Sequence, residues 1–258
     1  MITPIFSSHH SIGDSILTSD PPEDIAEKPQ SPVSIWSIAK KHDLKEVYII
    51  DRFFSGFVEH YNNSEKLNIP LRFGVKFTIC DKADDKSESS LKTESNIIVF
   101  ARNSDGYKDL IKLYSSIHSN KEYFYYRARG DWGLLNRMMT DNLLLCFPFY
   151  TSFLARNLLE HSHRAIPAMK LENAVFFREN HNHPKDSLID SALTKYCAAK
   201  YNILDAHSCY YYTEGDFKAF ITYSCIMNRT TFNKPNLEFM CSNGFSFESY
   251  LKRKEKKS

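Results

Sequence analysis

Val47-Tyr48-Ile49-Ile50-Asp51-Arg52-Phe53-Phe54-Ser55-Gly56-Phe57-Val58-Glu59-His60-Tyr61 opens as an apolar run, ends that run on a carboxylate, turns, and continues with helical spacing. A run of β-branched and aromatic residues too short for a helix reads as a buried strand. Six more such runs lie at residues 3–6, 71–78, 97–101, 143–147, 174–177 and 203–206. Helical patterns fall between and after them, at 34–42, 56–67, 106–118, 132–139, 152–161, 185–201 and 214–227, with Ser34 placed to cap the first. Strands alternating with helices predict βα units and a mainly parallel sheet. In an α/β barrel the chemistry belongs at the C-terminal strand ends, which is where Asp51 stands.

No Gly/Ser-rich linker divides the 258 residues, so a single domain over 1–251 is expected, followed by a basic tail, 252–258. The stretch 18–34 carries four prolines among acidic and polar residues and reads as an exposed loop. The nearly all-polar stretch 81–95 reads as a mobile loop between two strands. Hydrophobic residues at 42% and aromatic residues at 14% are ample for a packed core, which excludes global disorder. The net charge of +2 points neither towards nor away from nucleic acid. Six scattered cysteines without a CxxC pair read as reduced thiols, and no apolar run is long enough to span a membrane, so a cytoplasmic protein is expected.

Few residues carry a chemical signal. Asp51 is the best single candidate, because a carboxylate at a strand end is costly to bury unless paired or metal-bound; capping a helix is an equally simple role. His9 and His10 are adjacent, so on an extended segment at most one faces a site. Glu179, His181 and His183 could share a face, but Pro184 and the lack of a further close ligand favour an exposed turn. His161 and His163 read as helix-end residues. The segment 123–129 mixes Tyr and Arg and could stack on single-stranded bases, although packing or a protein contact is the commoner use of such aromatics.

Taken in order, the pieces resemble the polymerase and histidinol phosphatase (PHP) domain of the bacterial replicative DNA polymerase III alpha subunit, from about residue 5 to 251. The likeness runs through His10-Ser11, Ile50-Asp51, Gly56 to Tyr61, Asn68-Ile69-Pro70 with Gly74, Ala101-Arg102-Asn103 with Gly106-Tyr107 and Leu110, and Asp131-Trp132. It continues through Phe176-Phe177 with Glu179 and His183, then 214–226, and ends at 247–251. The resemblance implies a distorted (β/α)7 barrel that in active members holds two or three metal ions on about nine His, Asp, Glu and Cys side chains.

Carried over position by position, the ligand set is eroded. Ser8 and Arg52 stand where the family has His, Lys76 where it has Glu, and Asn96 where it has His. Phe149 falls on a Cys or His position, and Ser208 and Tyr210 replace the last Asp-x-His. Only His10 and Asp51 remain as vestiges. Cationic Arg52 and Lys76 would repel a metal, a like-charge pair at 4 Å costing about 4 kcal/mol at an effective dielectric near 20. They are expected instead to form an ion pair with Asp51 that fills the site. The resemblance therefore implies a catalytically degenerate, cofactor-free protein that serves DNA replication by binding. Its partner would be a DNA polymerase, a proofreading exonuclease or another replisome component. Tyr125, Tyr126 and Arg127 are the candidate contact. The Asn-, Lys-, Ile- and Tyr-rich composition suits a virus or mobile element acting on a host replisome in the host cytoplasm. The alternatives are a metal-dependent phosphoesterase or exonuclease using zinc or manganese on His10, Asp51, Glu179, His183 and His207, and a single-stranded nucleic-acid-binding protein.

Overall fold

Each apolar run of the sequence forms a strand. The structure is a computed structural model describing residues 2–22, 32–160, 166–169, 171, 173–198, 200–232 and 242–256. In chain order its elements are β1 (Thr3–Phe6), α1 (Ile35–Lys41), β2 (Val47–Asp51), α2 (Phe57–Leu67), β3 (Leu71–Cys80), α3 (Glu88–Leu91) and β4 (Ser95–Ala101). Next come α4 (Ser104–His118), β5 (Phe124–Tyr125), β6 (Arg127–Ala128), β7 (Gly130–Asp131), α5 (Trp132–Met138), β8 (Leu143–Phe147) and α6 (Phe153–Glu160). The chain ends with β9 (Val175–Arg178), α7 (Asp186–Cys197), β10 (Asn202–Cys209), α8 (Phe217–Met227) and α9 (Phe247–Glu255). His161, His163 and most of the proline-rich stretch lie outside the described residues.

Local chemistry sets the boundaries. Ser34 caps α1 as expected, its side chain accepting from the Trp36 amide. Asn103 does the same for α4 and Asp131 for α5. Asn68 ends α2 in the left-handed region at φ 52°, where Asn is tolerated. Gly106 allows α4 to approach the 142 backbone, since a Cβ there would lie 2.2 Å from the Asn142 carbonyl oxygen.

The chain divides into two compact units, crossing between them at 73/74, 178/179, 186/187 and 204/205. The first comprises 1–73, 179–186 and 205–258. Its strands run β2-β1-β10, with β1 parallel to both neighbours, so their C-terminal ends gather on one side. Trp36, Phe6, Tyr211, Phe220, Phe245 and Phe247 are its large buried side chains.

The second unit comprises 74–178 and 187–204, with strand order β9-β8-β4-β3-β7. β8 is parallel to β9, and β3 to β7. β4, however, is antiparallel to both β3 and β8, an exception within the mainly parallel sheet expected from the sequence. The β3–β4 connection carries only the single turn of α3, too little for a parallel crossover. That connection, expected to be mobile, is tied down by Arg129, whose fully buried guanidinium donates to the Ala83 and Asp85 carbonyls and the Ser90 hydroxyl.

Candidate functional site

β1 and β2 are in parallel register, Ile5 opposite Tyr48 and Phe6 opposite Ile49. The loop leaving β1 therefore meets the end of β2, where Asp51 is 1% exposed. Asp51 Oδ1 accepts from the Ser8 amide at 2.9 Å and the Ser11 hydroxyl at 2.8 Å, and Oδ2 accepts from the Ser8 hydroxyl at 2.7 Å. Burial pushes the carboxyl upward, and these donors, with the charge of His10, pull against that. Asp51 caps no helix; Gly56 is the residue before α2.

Arg52 does not face Asp51, contrary to the expected ion pair. Its Nε and Nη2 make a two-pronged pair with Asp14 at 2.7 and 2.9 Å, and its amide donates to Ser11. Consecutive residues at a strand end point to opposite sides, so Asp51 turns inward and Arg52 outward, its side chain 44% exposed. Lys76 is half-buried in β3 of the second unit, opposite Ile98. Asn96, in β4, donates its amide to the Thr151 carbonyl and accepts from the Thr78 hydroxyl. Phe149 is buried against Tyr150.

His10 Nε2 lies 3.1 Å from the Ser19 hydroxyl and 3.4 Å from Glu59 Oε2. Gly56 makes room for this ring, for a Cβ there would sit 2.3 Å from His10 Cδ2. Behind it, His60 is fully buried and accepts at Nδ1 from Trp36 Nε1 at 3.1 Å, so its proton sits on Nε2, 3.8 Å from Asp51 Oδ2. Burial, with the nearby His10 and His9, holds His60 down to about 3, leaving it neutral.

A second cluster lies in the same unit. Glu179, His181 and His183 are buried, so the exposed turn expected for this segment is not what forms. The segment folds inward because one Asp186 oxygen accepts both the His181 and His183 amides. His181 Nε2 reaches Glu179 Oε2 at 2.7 Å and Nδ1 reaches the Gly244 carbonyl at 2.9 Å. Both ring nitrogens are thus engaged by oxygen atoms within the unit. Burial alone would raise Glu179, but His181 and the Ser208 amide and hydroxyl outweigh it and hold the carboxyl below its usual range. His183 Nδ1 accepts from the Lys185 amide. His207 donates from Nε2 to the Ser246 carbonyl at 3.1 Å and packs at a tilt against His181, ring centroids 4.3 Å apart, with a buried Nδ1 that has no hydrogen-bond partner among the described residues. Tyr210 stacks between Phe220 and Phe245.

These residues fit a multinuclear metal centre poorly. Asp51 spends both oxygens on serines, His181 engages both ring nitrogens and His183 its Nδ1 locally, and a guanidinium is fixed beside the strand end. Among the described residues no group of three or more His, Cys, Asp or Glu is arranged to hold a metal ion.

A comparison with protein-family models matches residues 30–181 to the PHP domain. That is more than half of the chain. The chain belongs to the PHP family. The α/β fold of the PHP barrel type expected from the sequence stands with that membership. Among solved structures, this PHP chain is similar to a protein described as a metal-dependent phosphoesterase from Bifidobacterium adolescentis, at 16% identity and a TM-score of 0.26. The match covers 45% of this chain and spans about a third, 34%, of that one. Curated protein sequences give no match. No described helix is long and apolar enough to cross a membrane.

The sequence alone did not bring Ser11, Asp14, His60 or Asp186 to the site. Hydroxyls and single carboxylates carry no spacing signal, and the Ser11–Asp51 and Arg52–Asp14 contacts span 40 and 38 positions.

Proposed function

We propose that this PHP-family chain is catalytically degenerate and serves DNA replication by binding, as a structural or interaction subunit for a DNA polymerase or a proofreading exonuclease. The observation that carries the reading is the closure of Asp51 by Ser8 and Ser11, with Arg52 locked onto Asp14 beside it. The ordered motifs resembling the PHP domain of the polymerase III alpha subunit support the replication assignment. An eroded ligand set and the composition suit a viral protein acting on a host replisome in the host cytoplasm.

The proposed contact is the turn between β5 and β6. Tyr126 is 72% exposed there and holds φ 60°, a left-handed conformation that a bulky residue adopts only at a cost. Tyr125 lies over the Arg129 guanidinium at 5.3 Å, and Arg127 pairs with Glu94, so the turn is held in place from behind. Tagged full-length protein drawn from its native cell should carry a polymerase, exonuclease or other replisome subunit, and Tyr126→Ala should weaken that complex by about 1–2 kcal/mol. Recovery of no replication protein, alongside phosphodiesterase activity with manganese or zinc, would hand the chain to the metal-dependent alternative. One observation favours that rival: the buried Nδ1 of His207, without a hydrogen-bond partner among the described residues, on a ring packed against His181.

A further inference from the structure

The bonds that close Asp51 belong to a larger set. Ser7 Oγ donates to the Ile50 carbonyl, the Ser8 amide and hydroxyl and the Ser11 hydroxyl donate to Asp51, the Arg52 amide donates to Ser11 Oγ, and Arg52 Nε and Nη2 donate to Asp14. All of these connect the loop after β1 to three consecutive residues at the end of β2. Ser8 and Ser11 are fully buried, so their bonds to Asp51 are shielded from water and these donors cannot be exchanged for solvent without opening the loop, while Asp14, 9% exposed, pairs with an Arg52 side chain that is 44% exposed. The loop is further folded on itself by the Ser11 amide to Ser8 and the Asp14 amide to Ser11. Gly13, at φ +86°, makes the turn between them.

Both carboxylates are satisfied from within the protein. Hydroxyl and amide donors solvate Asp51, and the guanidinium neutralises Asp14 through two parallel bonds, the geometry in which Arg is strongest. Two of the participants, Ser8 and Arg52, occupy positions where the PHP resemblance implies imidazole ligands.

We propose that Ser7, Ser8, Ser11, Asp14, Asp51 and Arg52 form a metal-independent clasp that fastens the loop after β1 to the end of β2, doing by hydrogen bonds and one guanidinium what a bound cation would do for carboxylates brought together there. The proposal rests on the degenerate reading of the site, and its test separates the two. Thermal unfolding is measured for the full chain and for Arg52→Met, Asp14→Asn and the double variant, each in EDTA, in MnCl2 and in ZnCl2. Each single substitution lowers Tm by about 3–6 °C, and the double variant falls little further, because both remove the same pair. The wild-type Tm is the same in all three solutions. Amide exchange of the EDTA-treated wild type, which needs no variant to fold, shows Ser8 and Arg52 among the protected amides of the unit. Additive single effects, or fast exchange at Ser8 and Arg52, overturn the clasp. A stoichiometric metal that raises the wild-type Tm by several degrees overturns the degenerate reading instead, whatever the cycle shows.

Discussion

A carboxylate buried at a strand end must find either a cation or enough donors, since leaving it bare costs several kcal/mol. Asp51 takes the second course, with Ser8 supplying two donors and Ser11 a third. Ser8→Ala leaves the carboxylate short of a hydroxyl that no water can replace, and chemical denaturation should record a loss of about 1–3 kcal/mol. Gly244 is a second sensitive position: a Cβ there would come within 2.2 Å of the His181 carbonyl oxygen, so Gly244→Ala must move backbone. Its expected cost is about 1–3 kcal/mol, read as a lowered Tm. Asp51 itself was legible in the sequence because it ends an apolar run. Its donors were not, because serines are common and the pairings join distant segments. Arg52 was misread as the partner of Asp51, since adjacency in sequence at a strand end places side chains on opposite sides.

All seven apolar runs are strands, and their short length and β-branched content made them legible as elements. Periodicity carries no direction, so the reversal of β4 against β3 and β8 was invisible. Within the Tyr/Arg mixture at 123–129, Arg129 carried no signal of its own. It is buried, and it ties the polar connection before β4 to the segment after β6. Arg129→Met removes those bonds and its 3.4 Å ion pair with Glu94, so residues 81–95 should become the first site of limited proteolysis, with a loss of about 3 kcal/mol. Tyr126→Gly acts in the opposite way. It relieves the left-handed backbone and should leave Tm unchanged or slightly raised, while weakening the partner complex as strongly as Tyr126→Ala. A marked fall in Tm for Tyr126→Gly would show that the ring supports the fold and is not kept for a contact.

On the scale of the whole molecule, the family and the α/β class were legible, but the two interleaved units were not, because each is assembled from segments far apart in the chain. Buried neutral histidines set the pH behaviour. His60 is held down to about 3 and His207 well below 6.5, both chiefly by burial. Unfolded, each takes up a proton below about pH 6.5, so the unfolded state binds more protons and stability falls as pH drops from there, by up to about 1.4 kcal/mol per unit for each histidine. Asp51, raised by burial, has the opposite sign, its contribution fading as pH rises through its folded value; one carboxyl offsets only one of the two histidines. Denaturation midpoints should therefore decline between pH 7 and pH 5, and a midpoint that rises over that range would contradict the assignment. The central claim, that serines and a guanidinium have closed the metal site, is tested most directly by elemental analysis of the purified protein after exposure to manganese and zinc. The account predicts well under one metal ion per chain. Two or three per chain, lost together with a phosphodiesterase activity on Asp51→Ala, would contradict it.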